Sequence, residues 1–125
     1  MEINRPDIIR EVREAFGRYE TALMAWDAEE LIEAFWNSGL AIRVGDDEVL
    51  YGIAAIAEYR RHGKPPDLQR RLARIAVTAF GEDVATVYAV SVHTDSGRTG
   101  RQSQTWIRTQ VGWKIANANL SWLAH

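Results

Sequence analysis

The chain has 125 residues, of which 46% are hydrophobic and 26% charged, and its formal net charge is −2. This length and composition are typical of one globular domain, so we expect a single domain over residues 1–125. The slightly acidic balance leaves no basic footprint for nucleic acid or for an anionic membrane surface. Cysteine is absent, which excludes disulfides, thiolate zinc sites and a cysteine nucleophile.

The N-terminal segment MEINRPDIIREVREAF carries charges throughout and contains no apolar core, so we expect no signal peptide. No stretch approaches the roughly 18 consecutive apolar residues that a membrane-spanning helix needs. We therefore expect a cytoplasmic protein.

Three helices are predicted in the first half of the chain. Over residues 7–26, apolar side chains recur at spacings of three and four, which indicates one buried helical stripe. That stripe consists of Ile8, Val12, Phe16, Tyr19, Leu23 and Trp26. Asp27 and Glu30 fit a capping box for a second helix that ends near residues 37–39. Residues 52–63 predict a third helix, which Gly63 and the following prolines terminate.

Strand patterns fill the remainder of the chain. Residues 40–44 and 48–51 predict a short hairpin that turns at residues 45–47. Residues 68–80, 84–94, 98–109 and 113–122 show a period of two and are joined by short turns, which indicates an antiparallel meander. The predicted fold class is α+β, with three helices packed on a curved, mainly antiparallel sheet.

The last predicted hairpin permits a prediction of which residues share a face. A turn centred on Gln110 and Val111 pairs residues whose numbers sum to 221, and opposite residues lie on the same face. One face then carries Gln102, Gln104, Trp106, Trp113, Ile115, Asn117, Asn119 and Ser121. The other carries Arg101, Ser103, Thr105, Ile107, Lys114, Ala116, Ala118 and Leu120.

The first of these faces is rich in amides beside tryptophan. It suits the hydrogen-bonding floor of a pocket, although a solvated sheet face or mutually paired core amides would give the same pattern. The second face is flat, with small residues in its middle. It suits packing against another sheet, most simply that of a second subunit in a homodimer.

Two polar residues interrupt apolar patterns and are candidate site residues. Tyr19 lies within the stripe of the first helix, either as a core tyrosine or as a phenol that donates into a pocket. Arg43 lies on a short apolar strand, either in a salt bridge, at the water-facing end of the barrel, or as a clamp for an anionic ligand. Arg60 on the third helix is a possible second cation, although a snorkelling side chain at the helix end is the simpler interpretation.

Other catalytic or cofactor signals are absent. The three histidines, His62, His93 and His125, have no metal-ligand spacing, and no acidic cluster accompanies them. There is no glycine-rich phosphate loop and no GxSxG motif. We therefore expect no metal site.

Seven segments together resemble the AtzH-like subgroup of the nuclear-transport-factor-2-like superfamily, which also contains ketosteroid isomerases, scytalone dehydratases and polyketide cyclases. The resemblance spans almost the whole chain, and GRQSQTW is its most distinctive part. The segments are RYETAL (18–23), EELIEAFW (29–36), IRVGDDEVLYG (42–52), AIAEYR (55–60), TAFGEDVAT (78–86), GRQSQTW (100–106) and GWKIANANLS (112–121).

The resemblance implies a cone-shaped fold with a pocket between its helices and the concave sheet face. It also implies a role in oxalurate or s-triazine catabolism, with cofactor-free decarboxylation of 1,3-dicarboxyurea as the expected activity. Tyr19 and Arg43 match the suspected catalytic positions of the subgroup. Asn119 stands where many relatives are expected to carry histidine, and an amide cannot serve as an acid or a base.

Three functional hypotheses follow. In the first, Tyr19 and Arg43 act on a ureido dicarboxylate, while substrate is bound by Gln102, Gln104, Trp106, Asn117, Asn119 and Arg60. In the second, the protein binds a small anion, or serves an amidohydrolase, without catalysis. Isomerase or dehydratase chemistry on a hydrophobic substrate is the third, and it is disfavoured because it needs a carboxylate or histidine base in the pocket.

Overall fold

The computed structural model describes residues 1–45, 47–65 and 68–123. These residues form the helices α1 (Pro6–Ala25), α2 (Ala28–Glu33) and α3 (Ile53–His62). They also form the strands β1 (Ile42–Val44), β2 (Val49–Tyr51), β3 (Arg70–Phe80), β4 (Val84–His93), β5 (Thr99–Thr109) and β6 (Gly112–Trp122). The predicted α+β class and the predicted element order are confirmed.

The predicted stripe of α1 is buried, because its residues pack on the concave face of the sheet. Ile8, Val12, Phe16, Tyr19 and Leu23 are each at most 7% exposed. The sixth predicted residue, Trp26, lies just past the helix, where its left-handed backbone (φ 49°) caps the C-terminus.

α2 begins as the capping signal predicts but is shorter than predicted. The Asp27 carboxylate accepts a hydrogen bond from the Glu30 backbone N–H at 3.3 Å. The helix ends at Glu33 rather than near residues 37–39 because the next residues pair with β6. The Trp36 N–H donates to the Ile115 carbonyl, and the Ile115 N–H donates to the Ala34 carbonyl.

The six strands form one mixed sheet in the order β2-β1-β6-β5-β4-β3. All neighbouring pairs are antiparallel except β1 and β6, which run parallel. The turn predicted at residues 45–47 includes Asp46, and the prolines predicted to follow α3 include Pro66; both of these residues lie outside the described part of the chain.

The predicted register of the last hairpin is correct near its turn and wrong beyond it. Trp106 pairs with Ile115 as predicted, but a bulge follows, and Thr105 pairs with Asn117. The extra residue is Ala116 of β6. Because the side-chain period of a strand is two, one inserted residue moves every later side chain to the opposite face.

This bulge reverses the predicted faces of the second half of β6. Gln104 pairs with Ala118 and Gln102 with Leu120, so these residues share the concave face. Ser103 pairs with Asn119, which is exposed on the outer face. Asn117 and Ser121 are likewise exposed there, opposite Thr105 and Arg101.

The hydrophobic core lies between the three helices and the concave face. Its largest fully buried apolar side chains are Trp106, Phe35, Leu31, Ile56, Ile115, Val12 and Val87. Among the described residues, no helix has the length and apolar character required to cross a membrane.

Candidate functional site

A cavity opens between α1 and the concave face of the sheet. Its polar lining comes from Tyr19 of α1, Arg43 of β1 and Gln102 and Gln104 of β5, together with Arg70, His93 and Asn119. The structure therefore brings Tyr19 and Arg43, which are 24 residues apart in the chain, to the same cavity.

Strand pairing positions Arg43 toward this cavity. Arg43 pairs with Ala118 of β6, which in turn pairs with Gln104 of β5, so the three lie in one row across the concave face. The Arg43 side chain is buried to 9% exposure, and its Cζ lies 4.7 Å from the centre of the Tyr59 ring. Within the described residues, no carboxylate lies within ion-pair distance of Arg43.

Tyr19 is held by one aromatic contact and one hydrogen bond. Its ring meets that of Phe35 edge to face, with the centroids 6.4 Å apart. Its hydroxyl oxygen accepts a hydrogen bond from Nη2 of Arg60 at 3.1 Å. Since a guanidinium has no acceptor, the hydroxyl proton of Tyr19 is not used in this bond and remains available for another acceptor.

Arg60 lies behind Tyr19 and is not among the residues that line the cavity. The expectation of a snorkelling side chain is wrong, since Arg60 is 0% exposed. Arg60 was also expected to bind substrate, but its side chain does not contact the cavity directly. Burial lowers the pKa of Arg60 from its ordinary value, Tyr19 opposes that effect, and the nearby Arg43 charge adds to it.

The two cavity glutamines are oriented by buried neighbours. Nε2 of Gln102 donates to a carboxylate oxygen of Glu20 at 2.8 Å, which leaves its Oε1 free to accept. Nε1 of Trp106 donates to Oε1 of Gln104 at 2.9 Å, which leaves the NH₂ group free to donate. Trp106 was expected to bind substrate, but it does not line this cavity; its indole instead orients the Gln104 amide, which does.

A buried ion pair beside Gln102 was missed by the sequence analysis. Nη2 of Arg70 donates to both carboxylate oxygens of Glu20, at 2.8 and 2.6 Å. The charge of Glu20 suggests that it lies on the polar side of α1. Its position, four residues after Phe16 and three before Leu23, instead places it beside the apolar stripe. That spacing at the edge of the apolar stripe was the available signal.

His93 was also missed. It is 2% exposed, lines the cavity, and its Nε2 lies 3.0 Å from the Ser91 hydroxyl in a shared hydrogen bond. Its ring contacts Trp122, with the centroids 4.6 Å apart. A histidine just before a turn gave no signal in the sequence, because only strand pairing places it beside Arg70.

Of the two predicted substrate-binding amides on β6, Asn117 does not line the cavity and Asn119 lies at its border. Both residues lie on the outer face because the bulge at Ala116 moves the later side chains of β6 to the opposite face. Asn119 pairs with Val44 of β1 at the border of the cavity, but the residue is exposed to solvent. The position where relatives are expected to carry histidine is therefore exposed at the border of the cavity, outside its buried polar groups.

No group of three or more histidine, aspartate or glutamate side chains that could hold a metal ion occurs in the described part of the chain. The polar groups at the cavity are instead arginine donors, a phenol, an imidazole and two oriented amides. Such a set is suited to holding an anion that also carries hydrogen-bonding groups.

Comparisons with known proteins agree with this architecture. A structure of a cystatin-like fold protein from Burkholderia xenovorans is 40% identical, with a TM-score of 0.94 over 100% of this chain and 98% of that chain. A protein of unknown function from Pectobacterium atrosepticum is 36% identical, with a TM-score of 0.93 over 98% and 95% of the two chains.

More distant structures share the fold alone. A nuclear-transport-factor-2-like superfamily protein from Salmonella enterica is 23% identical, with a TM-score of 0.72 over 95% of this chain and 93% of that chain. No curated protein matches the chain significantly. The family model described as AtzH-like matches residues 1–125. The chain therefore belongs to the AtzH-like family, within the nuclear-transport-factor-2-like superfamily.

Proposed function

We propose that the cavity binds a small ureido or carbamoyl dicarboxylate and decarboxylates it without a cofactor, with 1,3-dicarboxyurea as the model substrate. The observation that carries this proposal is the shared cavity of Arg43 and Tyr19. It combines a buried cation that has no carboxylate partner among the described residues with a phenol whose proton is uncommitted.

Arg43 supplies the anion-binding part of the proposal. A guanidinium can hold a carboxylate through two parallel hydrogen bonds, which fixes its orientation as well as its position. At 9% exposure, Arg43 is shielded from competing water, so the interaction is stronger than at the surface. The Tyr59 ring, whose centre lies 4.7 Å from the Arg43 Cζ, helps to hold the guanidinium in place before a ligand arrives.

Tyr19 supplies the proton in the proposed reaction. The bond between the carboxylate carbon and the urea nitrogen breaks, carbon dioxide leaves, and the electron pair remains on the nitrogen. A proton from the Tyr19 hydroxyl is added to that nitrogen, which gives the monocarboxylated urea, and water reprotonates the phenolate. Because a carbamate loses carbon dioxide readily, positioning by Arg43 and one proton donor is a sufficient catalyst.

The two glutamines complete the recognition of the urea. The free NH₂ group of Gln104 can donate to a urea carbonyl, and the free Oε1 of Gln102 can accept from a urea N–H. Their orientations are fixed by Trp106 and Glu20, so the amides need not reorganise when the ligand binds.

The test is release of carbon dioxide from 1,3-dicarboxyurea, with the rate in buffer subtracted. We expect catalysis by the wild-type protein and a loss of at least about 100-fold in kcat/KM for Arg43→Met, the matched control being Arg13→Met on the exposed face of α1. An Arg43→Met variant with wild-type activity would remove the clamp from the proposal.

A non-catalytic anion-binding protein is the second candidate, and one observation favours it. Glu20, the carboxylate next to the cavity amides, is occupied by Arg70 and Gln102 and is not free to act as a base. Stabilisation of the protein by small dicarboxylates without any turnover would support binding alone.

We also propose that the outer sheet face forms a homodimer. This face presents Val84 and Tyr88, each 39% exposed, beside the small polar residues of β5. A strand face with exposed apolar side chains suits a self-complementary contact across a two-fold axis.

A further inference from the structure

Arg60 is a buried cation without a carboxylate partner in the described part of the chain. It is 0% exposed, and neither its Nε nor its Nη1 has a hydrogen-bond partner. Removing an arginine from water without an ion pair is costly, and leaving two of its donors unpaired adds to that cost. A residue retained under these conditions is expected to serve something other than stability.

Aromatic rings compensate for part of this cost. The Arg60 Cζ lies 5.5 Å from the ring centre of Trp26, 5.5 Å from that of Tyr59 and 6.0 Å from that of Phe35. The faces of such rings attract a cation. They supply no hydrogen-bond acceptor in the ring plane of a guanidinium, so the Tyr19 hydroxyl is the polar group to which Arg60 donates.

From this geometry we propose that Arg60 is a positioning residue for Tyr19, which holds the phenol as a donor toward the cavity and stabilises the phenolate that proton transfer leaves. A guanidinium can only donate, so Arg60 occupies one lone pair of the Tyr19 oxygen and turns the hydroxyl proton away from itself. The inference rests on the proposed function, since it assigns Tyr19 the role of proton donor.

Arg60 takes no part in the proton balance of the reaction. The Tyr19 O–H bond breaks, its proton goes to the leaving urea nitrogen, and the charge that remains on the oxygen lies 3.1 Å from the Arg60 donor. The bond then becomes one between two charged groups, which is stronger than the bond to the neutral phenol. The stabilisation is therefore largest after the proton has begun to leave, which lowers the barrier rather than strengthening substrate binding.

The first experiment compares stability with kinetics in Arg60→Met, an apolar replacement of similar length. We expect a melting temperature equal to or above that of the wild type, because an unpaired buried charge is removed. We expect kcat on 1,3-dicarboxyurea to fall by about 10- to 100-fold with KM changed by less than about threefold. Arg60→Lys, which retains a charged donor, should recover part of kcat.

A structural role for Arg60 predicts the opposite pattern. Arg60→Met would then melt well below the wild type. The kcat of Arg60→Lys would fall in step with its melting temperature instead of recovering with the retained charge. Either result would overturn the inference, as would a rise in KM with an unchanged kcat.

The second experiment separates this inference from the proposed reaction by using malonate, a stable dianion, as the ligand. Dissociation constants are measured for the wild type, Arg60→Met, Tyr19→Phe and the double variant. We expect Tyr19→Phe to weaken binding by about three- to tenfold, and the double variant to be no weaker than Tyr19→Phe alone, because Arg60 acts through the phenol.

Binding losses that multiply in the double variant would show that Arg60 acts independently of Tyr19 and would overturn the inference. Malonate binding with the expected coupling but without decarboxylation would remove the proposed reaction and leave the coupling of Arg60 to Tyr19 standing. A wild-type protein that binds no malonate would overturn both.

Discussion

Gly100 begins the GRQSQTW segment where β5 passes close to two buried polar side chains. A Cβ atom added there would lie 2.9 Å from the Ser91 Oγ and 3.5 Å from the His93 Nε2. The distinctive glycine of this segment therefore makes room for the Ser91–His93 pair at the cavity. This steric requirement does not involve a left-handed backbone.

Substitution of Gly100 by alanine should destabilise the protein by about 1–3 kcal/mol, because the added methyl group overpacks a buried site. Gly17→Ala on the exposed side of α1 is the matched control and should be neutral or stabilise by up to about 1 kcal/mol, since nothing lies within 4 Å of its added Cβ. Urea denaturation measures both. Equal effects of the two substitutions would contradict the packing argument.

Glu20→Gln should destabilise the fold by about 3 kcal/mol, because it leaves the Arg70 charge buried without a carboxylate. The side chains of this pair are only 11% and 5% exposed. Glu14→Gln, which is exposed on the same helix, should change the free energy of unfolding by less than about 0.5 kcal/mol. Similar losses in the two variants would show that the buried pair contributes no more than a surface charge.

At the scale of the elements, the sequence predicted every helix and strand but not the alignment of β5 with β6. Helical and strand periods are local properties of a chain, so they are visible without the structure. The bulge at Ala116 depends on β6 pairing with β1 and with the 34–36 segment. Nothing in the sequence IANAN marks it.

In the candidate site, too, residues with a local sequence signal were predictable and residues placed by long-range strand pairing were not. Tyr19 and Arg43 were predictable because each interrupts an apolar pattern in its own element. Arg70 and His93 were not, because each acquires its place only through long-range pairing of β3 with β4. The predicted amides Asn117 and Asn119 were assigned to the wrong face by the single inserted residue.

Attachment of α1 to the sheet should depend on pH through Glu11. Its carboxylate accepts from Nε1 of Trp113 on β6, at 2.9 Å, and pairs with Arg108 of β5, at 3.0 Å. The Trp113 hydrogen bond and the Arg108 charge lower the pKa of Glu11 from its ordinary value of 4.5. This contribution to stability is thus present above pH 4.5 and is lost as pH falls through the lower pKa of the folded state.

Thermal unfolding at several pH values between 3 and 7 checks this contribution. Glu11→Gln should be less stable than the wild type at neutral pH, and the difference should shrink in acid. A difference that stays constant across this range would contradict the assignment.

At the scale of the whole molecule, the two faces of the sheet have separate proposed roles. The concave face carries the cavity, while the outer face is proposed as the dimer contact. Tyr88→Arg would place a charge in the centre of the outer face and should convert a dimer into a monomer in light scattering, with the cavity unaffected. The control is Arg101→Lys on the same face, which retains the charge. A wild-type monomer would contradict the proposed dimer.

The central claim is that the cavity holds a small dianion against Arg43 and Tyr19. A crystal structure with malonate at saturating concentration tests it most directly. The account predicts one carboxylate hydrogen-bonded to the Arg43 guanidinium, with a malonate oxygen within hydrogen-bond distance of the Tyr19 hydroxyl. An empty cavity, or malonate bound only elsewhere on the protein, would contradict it.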